Sequence, residues 1–526
     1  MIIAENTGGP GESVASAEDG ASTLQCFDVV IVGAGLSGIG AAVHLQRDCP
    51  GHRFALLEQR ESLGGTWDLF RYPGVRSDSD MQTLGFGFKP WEAEKSIADG
   101  PSILRYLQEA ADQFDVRRHI QFGRRLASAN WCSERARWQL KVELTETGEC
   151  LYYEAQFLLM CSGYYRYDSA HQPDFPGRDS FSGTWVHPQF WPDSLDYSGK
   201  RVAVIGSGAT AMTVVPTMAE TANKVILVQR SPTYVISMPS VDGFARLLAR
   251  WLPATWAYGL TRWRNTARQQ FSYWCTRVMP GLMKRFLIAS VRREIGDVVD
   301  VDKHFVPAYG PWDQRLCLIP DDDLFKVIRA GKVDVVTDDI DRIRPEGIAM
   351  KSGERIDADI IVSATGLELV NLGGAVFTVD GSPIDFANEW TYKGVMCSNV
   401  PNMVQIFGYI NASWTLRSDL IATWTCRLLN HMESTGADTA IPRCPDRVAK
   451  SMPRRWWIDD FSAGYMQRAL PAFPKQGDRA PWINPQTYRA DRQLLLRGEL
   501  ADGALHFERR GPSTSQSAPG AFGAFG

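Results

Sequence analysis

The chain of 526 residues is too long for a single hydrophobic core and predicts about three domains, since a domain usually contains roughly 100 to 200 residues. Its 44% hydrophobic and 22% charged residues are typical of a globular protein. The net charge of −4 and the dispersed basic residues give no electrostatic reason to expect a nucleic-acid partner, so small-molecule chemistry is favoured.

Neither the ends of the chain nor its cysteines indicate export or a metal site. Residues 1–25 lack the basic and apolar regions of a signal peptide and predict a disordered extension, and the Gly-, Ser- and Pro-rich residues 511–526 predict a disordered tail. The ten cysteines form no C-x-x-C pair and have no histidine at metal-ligand spacing, which favours free thiols in the cytoplasm. No apolar run approaches the roughly 20 residues of a membrane span.

The first motif in chain order is G-x-G-x-x-G at residues 33–38, between a β-branched run at residues 27–32 and a run of helix-forming residues. Gly33 permits the tight turn, Gly35 lets a pyrophosphate approach the backbone, and Gly38 lets helix and strand pack closely. Ser37 lies in the same turn. Glu58 ends the next predicted strand, twenty residues after Gly38, where its carboxylate can accept hydrogen bonds from ribose hydroxyls.

A second dinucleotide motif, G-x-G-x-x-A, follows the predicted strand at residues 201–205. Two such turns in one chain call for two dinucleotides. The next strand, residues 225–229, ends in Arg230 and Ser231 where NAD enzymes carry an acid, and this pair favours the 2′-phosphate of NADPH. The expected contacts to this second dinucleotide are Gly206, Ser207, Gly208, Ala209, Thr210, Ala211, Arg230 and Ser231.

Two further segments match longer motifs, and the first of them, residues 181–192, fits neither a helical nor a strand period. Residues 181–192 match F-x-G-x-x-x-H-x-x-x-W-P through Phe181, Gly183, His187 and Trp191, and predict a hinge; alone, they would equally suit a surface loop with a buried tryptophan. Residues 65–78 match G-x-W-x-x-x-x-Y-P-G-x-x-x-D at every defined position. Together these patterns resemble the type I Baeyer–Villiger monooxygenases, flavoenzymes that insert an oxygen atom beside a ketone carbonyl.

The resemblance covers residues 26 to 510 and implies an α/β fold. It predicts two interleaved Rossmann-like dinucleotide-binding domains, for FAD and NADPH, with a helical insertion. The implied segments are 26–180 and 366–510 for the FAD domain, 181–192 for the hinge, 193–239 and 311–365 for the NADPH domain, and 240–310 for the insertion.

The resemblance also assigns roles to individual residues. Gly65, Thr66 and Trp67 are expected along the flavin, Arg76 among the cofactor contacts, and the backbone of Leu126 against the adenine. Asp78 is expected near the reactive edge of the flavin, within reach of Arg315. The segment 311–317 matches the one that presents the catalytic arginine of the family, here Arg315. Many relatives have a lysine where this chain has Gln314, and this difference leaves the strictness of the NADPH preference open.

The predicted insertion has an apolar stripe at Phe244, Leu247, Leu248, Trp251 and Leu252, with arginines on the opposite face. By resemblance the insertion covers the cleft. Its tryptophans and arginines also permit a helix at a membrane surface, which would give a peripheral membrane contact.

These features predict a monooxygenase in which NADPH reduces FAD, O2 adds to give a peroxyflavin, and a ketone becomes an ester or lactone. Oxygenation of sulfur or nitrogen in sulfides, thioamides or amines is the alternative within the enzymes. A flavin-binding redox sensor is the alternative outside catalysis. A flavin-dependent disulfide reductase is disfavoured, because it would need a C-x-x-x-x-C pair in the FAD domain.

Overall fold

The computed structural model describes residues 24–510. The termini that were predicted to be disordered lie outside these residues, except for positions 24 and 25, of which Gln25 begins the first strand. The described chain forms two main sheets with helices packed against them, and the predicted α/β fold with two Rossmann-like domains and a helical insertion is confirmed.

The first sheet is mixed and has nine strands. In spatial order they are Ser382–Pro383, Val376–Val379, Arg124–Cys132, Arg137–Leu144, Cys150–Met160, Gln25–Val32, Phe54–Leu57 and Ile120–Gln121, with Met403–Gln405 also paired to Cys150–Met160. The strand Gln25–Val32 pairs in parallel with both of its neighbours, and its β-branched side chains pack into apolar cores on both faces of the sheet. The first glycine turn follows directly after the carboxyl end of this strand.

The second sheet has five strands, all parallel. Their spatial order is Val333–Thr337, Lys224–Gln229, Arg201–Ile205, Ile360–Ser363 and Thr184–Val186. The last of these strands lies inside the predicted hinge segment, in which the sequence shows no clear strand period. Three residues are too few for an alternating pattern to be recognised in sequence, yet Thr, Trp and Val suit a strand at the edge of a sheet.

Helices flank both sheets. The helix Leu36–Asp48 follows the first glycine turn and packs against Trp414–Thr435, and Ala209–Met218 follows the second glycine turn. Within residues 24–510, the other α-helices outside the insertion are Thr66–Leu69, Met81–Leu84, Gly100–Gln113, Asp323–Arg329, Asp446–Ser451, Gly464–Ala469 and Tyr488–Arg492.

Small antiparallel or parallel strand groups complete the two domains. They are Val235–Met238 with Cys317–Pro320; Ile340–Arg344 with Gly347–Met350 and Arg355–Asp357; Thr391–Tyr392 with Met396–Cys397; Thr439–Pro442 with Leu505–Glu508; and Arg455–Trp456 with Lys475–Gln476. One further pair, Tyr165–Ala170 with Leu367–Leu369, is antiparallel and carries the chain from the first sheet toward the second and back. We call this pair the crossover ribbon.

Four helices form the insertion: Gly243–Trp251, Ala254–Val278, Pro280–Ile295 and Val301–His304. The Asp242 carboxylate accepts hydrogen bonds from the backbone N–H groups of Phe244 and Ala245, which caps the first helix. Pro253 and Pro280 mark the starts of the next two helices. Within residues 24–510, no helix combines the length and the apolar character needed to cross a membrane.

Candidate active site

A cavity of about 850 Å³ is lined by loops from both sheets. This volume falls within the roughly 300 to 1,000 Å³ of small-molecule sites. Thirteen of the predicted site residues line it: Gly33, Gly35, Ser37, Glu58, Gly65, Thr66, Trp67, Arg76, Asp78, Leu126, Ala209, Thr210 and Arg315. Gly38, most of the second glycine turn, Arg230, Ser231 and the predicted hinge residues lie outside its wall.

The first glycine turn has the geometry of a phosphate-binding loop. Gly33 has φ +106°, a conformation that L side chains rarely adopt. A Cβ on Gly38 would come within 1.9 Å of the carbonyl oxygen of Gly33, so Gly38 allows the close approach of helix and strand. A Cβ on Gly35 would meet only the backbone of Gly65, with Cα at 3.5 Å and N at 3.8 Å, which are ordinary contacts. The space beside Gly35 is therefore available to a ligand at the start of a helix.

Glu58 is buried and lines the same cavity as the first glycine turn. One carboxylate oxygen, Oε2, accepts a hydrogen bond from the Ala34 N–H at 2.7 Å, and Oε1 accepts one from the Arg60 N–H at 3.0 Å. Burial raises the pKa of Glu58. Each oxygen keeps a second acceptor position, which could receive a ribose hydroxyl.

The other residues that were predicted to contact FAD lie in the wall of the same cavity. Thr66 and Trp67 open the short helix Thr66–Leu69, whose preceding residue, Gly65, has φ +55°. The strand pairing shifts register just after Leu126, and Leu126 itself is buried at the cavity. The indole Nε1 of Trp414, the first residue of a long helix, donates to Ser37 Oγ at 2.7 Å. No sequence pattern identified Trp414 as a partner of Ser37.

Arg315 and Asp78 form an ion pair in the cavity wall. Nε of Arg315 lies 2.7 Å from Oδ2 of Asp78, and the two side chains are 30% and 34% exposed. Burial alone would lower the pKa of Arg315, but the charge of Asp78 and the neighbouring tyrosine hydroxyls raise it well above its usual value. Arg315 is therefore a permanent cation that is held in place by a carboxylate.

Three tyrosines around Arg315 were not identified from the sequence. The hydroxyls of Tyr164 and Tyr165 lie 3.1 Å apart, and Tyr465 also interacts with Arg315. Burial raises the pKa of Tyr164 well above its usual range and that of Tyr165 to about 12. These phenols therefore stay protonated at neutral pH. The glycine turn before Tyr164 was a usable sequence signal, whereas Tyr465 comes from a distant helix and had none.

The second glycine turn and Arg230 meet at one edge of the second sheet. Ile205 and Val228 are paired across adjacent parallel strands, so the residues after them project from the same edge. Gly206 has φ +135°, and a Cβ on Gly208 would find no atom within 4 Å. Arg230 is exposed and has no carboxylate partner within residues 24–510. These groups could hold the phosphates of a second dinucleotide.

Arg76 connects the two halves of the molecule. Its Nη1 lies 2.5 Å from Asp323 Oδ2, and its Nη2 donates to the Met212 carbonyl at 3.3 Å. Both partners belong to the second half of the fold. The predicted contact between Arg76 and a cofactor stays a prediction, since the guanidinium is committed to these partners although the residue lines the cavity.

Of the predicted hinge residues, His187 lies beside the crossover ribbon. His187 Nε2 lies 3.1 Å from the Gly366 carbonyl oxygen, and His187 Nδ1 accepts from the Gln189 N–H at 3.1 Å. The Nε2 tautomer satisfies both contacts, and burial lowers the pKa of His187. The Gln189 side chain, which the motif leaves undefined, donates to three carbonyls of the ribbon, at Arg166, Tyr167 and Ser169. Gln189 thus holds the first ribbon strand, and His187 holds the residue that precedes the second.

The other residues of this motif are structural neighbours of the second sheet. Phe181 packs on the core that contains Ile343 and Ile348. A Cβ on Gly183 would come within 2.3 Å of the Asp359 carbonyl oxygen, so only glycine fits there. Trp191 packs against the second apolar core and stands edge-on to Tyr197.

The comparisons with known proteins agree with this geometry. The model of the flavin-binding monooxygenase-like family matches residues 96–435, and that of the NAD(P)-binding Rossmann-like domain matches residues 31–96. The chain is 48% identical to the FAD-containing monooxygenase EthA of Mycobacterium tuberculosis, over 92% of this chain and 98% of the relative. It superimposes with a TM-score of 0.73 on an oxidised steroid monooxygenase bound to NADP, at 24% identity, covering 92% and 100% of the two chains. The complex of OTEMO with FAD and NADP gives a TM-score of 0.70, at 22% identity, covering 91% and 99%.

The chain therefore belongs to the flavin-binding monooxygenase-like family and is an FAD- and NADPH-dependent monooxygenase. The predicted resemblance is confirmed at the level of this family and of the fold, and EthA is among its similar relatives. Family membership does not by itself determine which bond of the substrate receives the oxygen atom.

Proposed function

We propose that the protein oxidises a ketone to an ester or lactone, consuming NADPH and O2 and releasing NADP+ and water. The observation that carries this proposal is the Arg315–Asp78 pair on the wall of the cavity. In nucleophilic attack on a carbonyl, the activated oxygen carries negative charge before it bonds to the carbonyl carbon, and the charge then passes to the former carbonyl oxygen. A fixed cation beside the reacting atoms stabilises such charge.

Different residues of the chain bind the two cofactors and position Arg315. Gly35 and Glu58 hold the pyrophosphate and ribose of FAD, and Gly208 and Arg230 hold the phosphates of NADPH. Bound FAD, once reduced by NADPH, supplies the activation of O2. Asp78 orients the Arg315 guanidinium, because its carboxylate pairs with Nε. The Nη groups would then be the donors available to a reacting oxygen.

The phenol groups of Tyr164, which is buried, and of Tyr165 and Tyr465, which are partly buried, limit the access of water to Arg315. Exclusion of water strengthens the field of the guanidinium and suppresses the loss of activated oxygen as hydrogen peroxide. Since these phenols remain protonated, they add no negative charge that would compete for Arg315.

The closest alternative to this proposal is oxygen transfer to sulfur. A sulfide attacks the activated oxygen as a nucleophile and does not need the oxygen to be anionic, so Arg315 would matter less.

The purified holoenzyme is incubated with NADPH and ¹⁸O2 and a panel of linear, cyclic and aryl ketones together with matched sulfides. Gas chromatography with mass detection measures labelled ester and sulfoxide.

Labelled esters from at least one ketone class support the proposal. Labelled sulfoxides without any ester would assign the protein to heteroatom oxygenation instead. Bound FAD with negligible NADPH consumption throughout the panel would contradict an enzymatic role and favour a flavin-binding sensor.

A further inference from the structure

The exposed apolar side chains of this protein are concentrated on the helical insertion. Of the sixteen large apolar residues that are exposed within residues 24–510, thirteen lie between positions 244 and 298. On the helix Ala254–Val278 they form one stripe, at Trp256, Leu260, Trp263, Phe271, Trp274 and Val278. We call these six residues the outer stripe. Trp256 and Trp263 are 68% and 72% exposed, which is unusual for side chains of this size.

The opposite face of the same helix is polar and buried. Asn265 is fully buried and its Nδ2 donates to Asp80 Oδ1 at 2.9 Å. Arg262 Nη1 donates to the carbonyls of Gln82 and Gly85 at 2.9 and 2.7 Å, and Nη2 donates to Asp419 at 3.1 Å. These specific contacts fix the rotation of the helix about its axis. The outer stripe therefore faces outward because the inner face is held by polar partners.

The insertion also carries a strong positive charge. Residues 243–293 contain ten Lys and Arg residues and no Asp or Glu, although the whole chain has a net charge of −4. Arg250, Arg268 and Arg285 are exposed, and within the described part of the chain none of them has a carboxylate partner. Exposed tryptophans flanked by arginines are the composition of surfaces that lie in the headgroup region of a bilayer.

We propose that the outer stripe and its flanking arginines dock this protein on the surface of an anionic membrane. The tryptophans enter the headgroup region and the arginines pair with lipid phosphates, so apolar burial and charge attraction act together. A symmetric contact between two copies of the chain is disfavoured, because it would bring two surfaces rich in arginine and free of carboxylates face to face.

Vesicle binding tests this docking with the intact flavin-loaded protein. Holoprotein is sedimented with phosphatidylcholine vesicles, with or without phosphatidylglycerol, and the bound fraction and tryptophan fluorescence are recorded. The triple variant Trp256→Ser, Trp263→Ser and Trp274→Ser should bind at least roughly tenfold more weakly, since it loses most of the inserted apolar surface. Trp456→Ser is the matched control, because Trp456 is 45% exposed but lies outside the insertion.

The charge contribution is measured separately. Replacing Arg250, Arg268 and Arg285 with Gln should weaken binding to anionic vesicles by about fivefold per arginine, and added salt should reduce the binding of the wild type. Flavin absorbance confirms that each variant is folded, and Trp263→Ser alone replaces the triple variant if that protein loses FAD.

Three outcomes would overturn the proposal. The first is no binding of wild type to anionic vesicles. The second is equal binding to neutral and anionic vesicles. The third is self-association in analytical ultracentrifugation that depends on the outer stripe and occurs without vesicle binding, which would identify a second copy of the chain as the occupant.

Discussion

Replacing Arg315 with Ala should nearly abolish ester formation while FAD remains bound. The substitution removes the cation that faces the reacting oxygen, and it leaves the contacts of Gly35 and Glu58 untouched. NADPH should still reduce the flavin, at a lower rate if Arg315 also positions the nicotinamide. Electrons that no longer reach the ketone should be released as hydrogen peroxide.

The size of the effect follows from the position of the ion pair. Loss of one preorganised electrostatic stabiliser costs about 2.7 to 4 kcal/mol, or roughly 10²- to 10³-fold in rate. The Arg315 and Asp78 side chains are 30% and 34% exposed, so solvent screens part of their field. We therefore expect the lower end of this range, about a hundredfold loss in the rate of ester formation.

Stopped-flow absorbance separates flavin reduction from the subsequent reaction with O2, and ester and hydrogen peroxide are measured in the same samples. Arg315→Lys keeps a positive charge but lacks the forked geometry, so it should retain an intermediate rate. Arg443→Ala is the control, because Arg443 pairs with Glu508 at 3.3 Å and lies outside the cavity. Since the pKa of Arg315 is raised, the effect should be equal at about pH 7 and about pH 9.

One result would refute this account of Arg315, and another would move its test to a second variant. Ester formation by Arg315→Ala within a few-fold of wild type would remove the guanidinium from the mechanism. Loss of FAD from the variant would show that Arg315 supports the cofactor site and would leave its chemical role to be tested with Arg315→Lys.

Three further predictions concern cofactor binding and the crossover ribbon. Gly35→Ala should give colourless protein with a normal fold by circular dichroism, because the added methyl has no close protein neighbour and can clash only with the ligand; a yellow variant would contradict this site. Arg230→Ala should weaken NADPH binding by roughly ten- to a hundredfold and leave NADH nearly unchanged, as measured by the KM for each, since one charge-assisted contact is worth about 1.5 to 3 kcal/mol; equal weakening of both would disprove the phosphate contact. His187→Ala should slow ester formation, retain FAD and lose about 1 to 3 kcal/mol of unfolding free energy, because it removes the hydrogen bonds to Gly366 and Gln189; loss of flavin would make the role purely structural. The lowered pKa of His187 means that the unfolded state takes up a proton first, so this stability should decline as pH falls below about 6.5 and the decline should be smaller in His187→Gln.

The sequence by itself determined the two dinucleotide turns and therefore the class of chemistry. Each turn is encoded by six contiguous residues, and glycine is required at Gly33 and Gly206 by their positive φ. The strand before each turn and the helix after it are also local signals. Such contiguous patterns need no knowledge of long-range packing, which is why the α/β fold and both cofactors could be predicted.

The surroundings of Arg315 were predicted only in part. Its reach toward Asp78 followed from the resemblance, but Tyr465 belongs to a short helix far along the chain and no local pattern connects it to this site. The pairing of Arg76 with Asp323 across the two halves was likewise invisible in sequence. The same holds for the bracing of the crossover ribbon by Gln189.

The direction of the apolar stripes on the insertion was decided by tertiary structure alone. A repeat of i, i+3, i+4 identifies one face of a helix but contains no information about whether that face points to the core or to solvent. Here the polar partners of Arg262 and Asn265 lie on the body of the protein, and they hold the polar face inward. The apolar face of the helix Ala254–Val278 must then point outward, because one rigid helix cannot turn both faces to the same side.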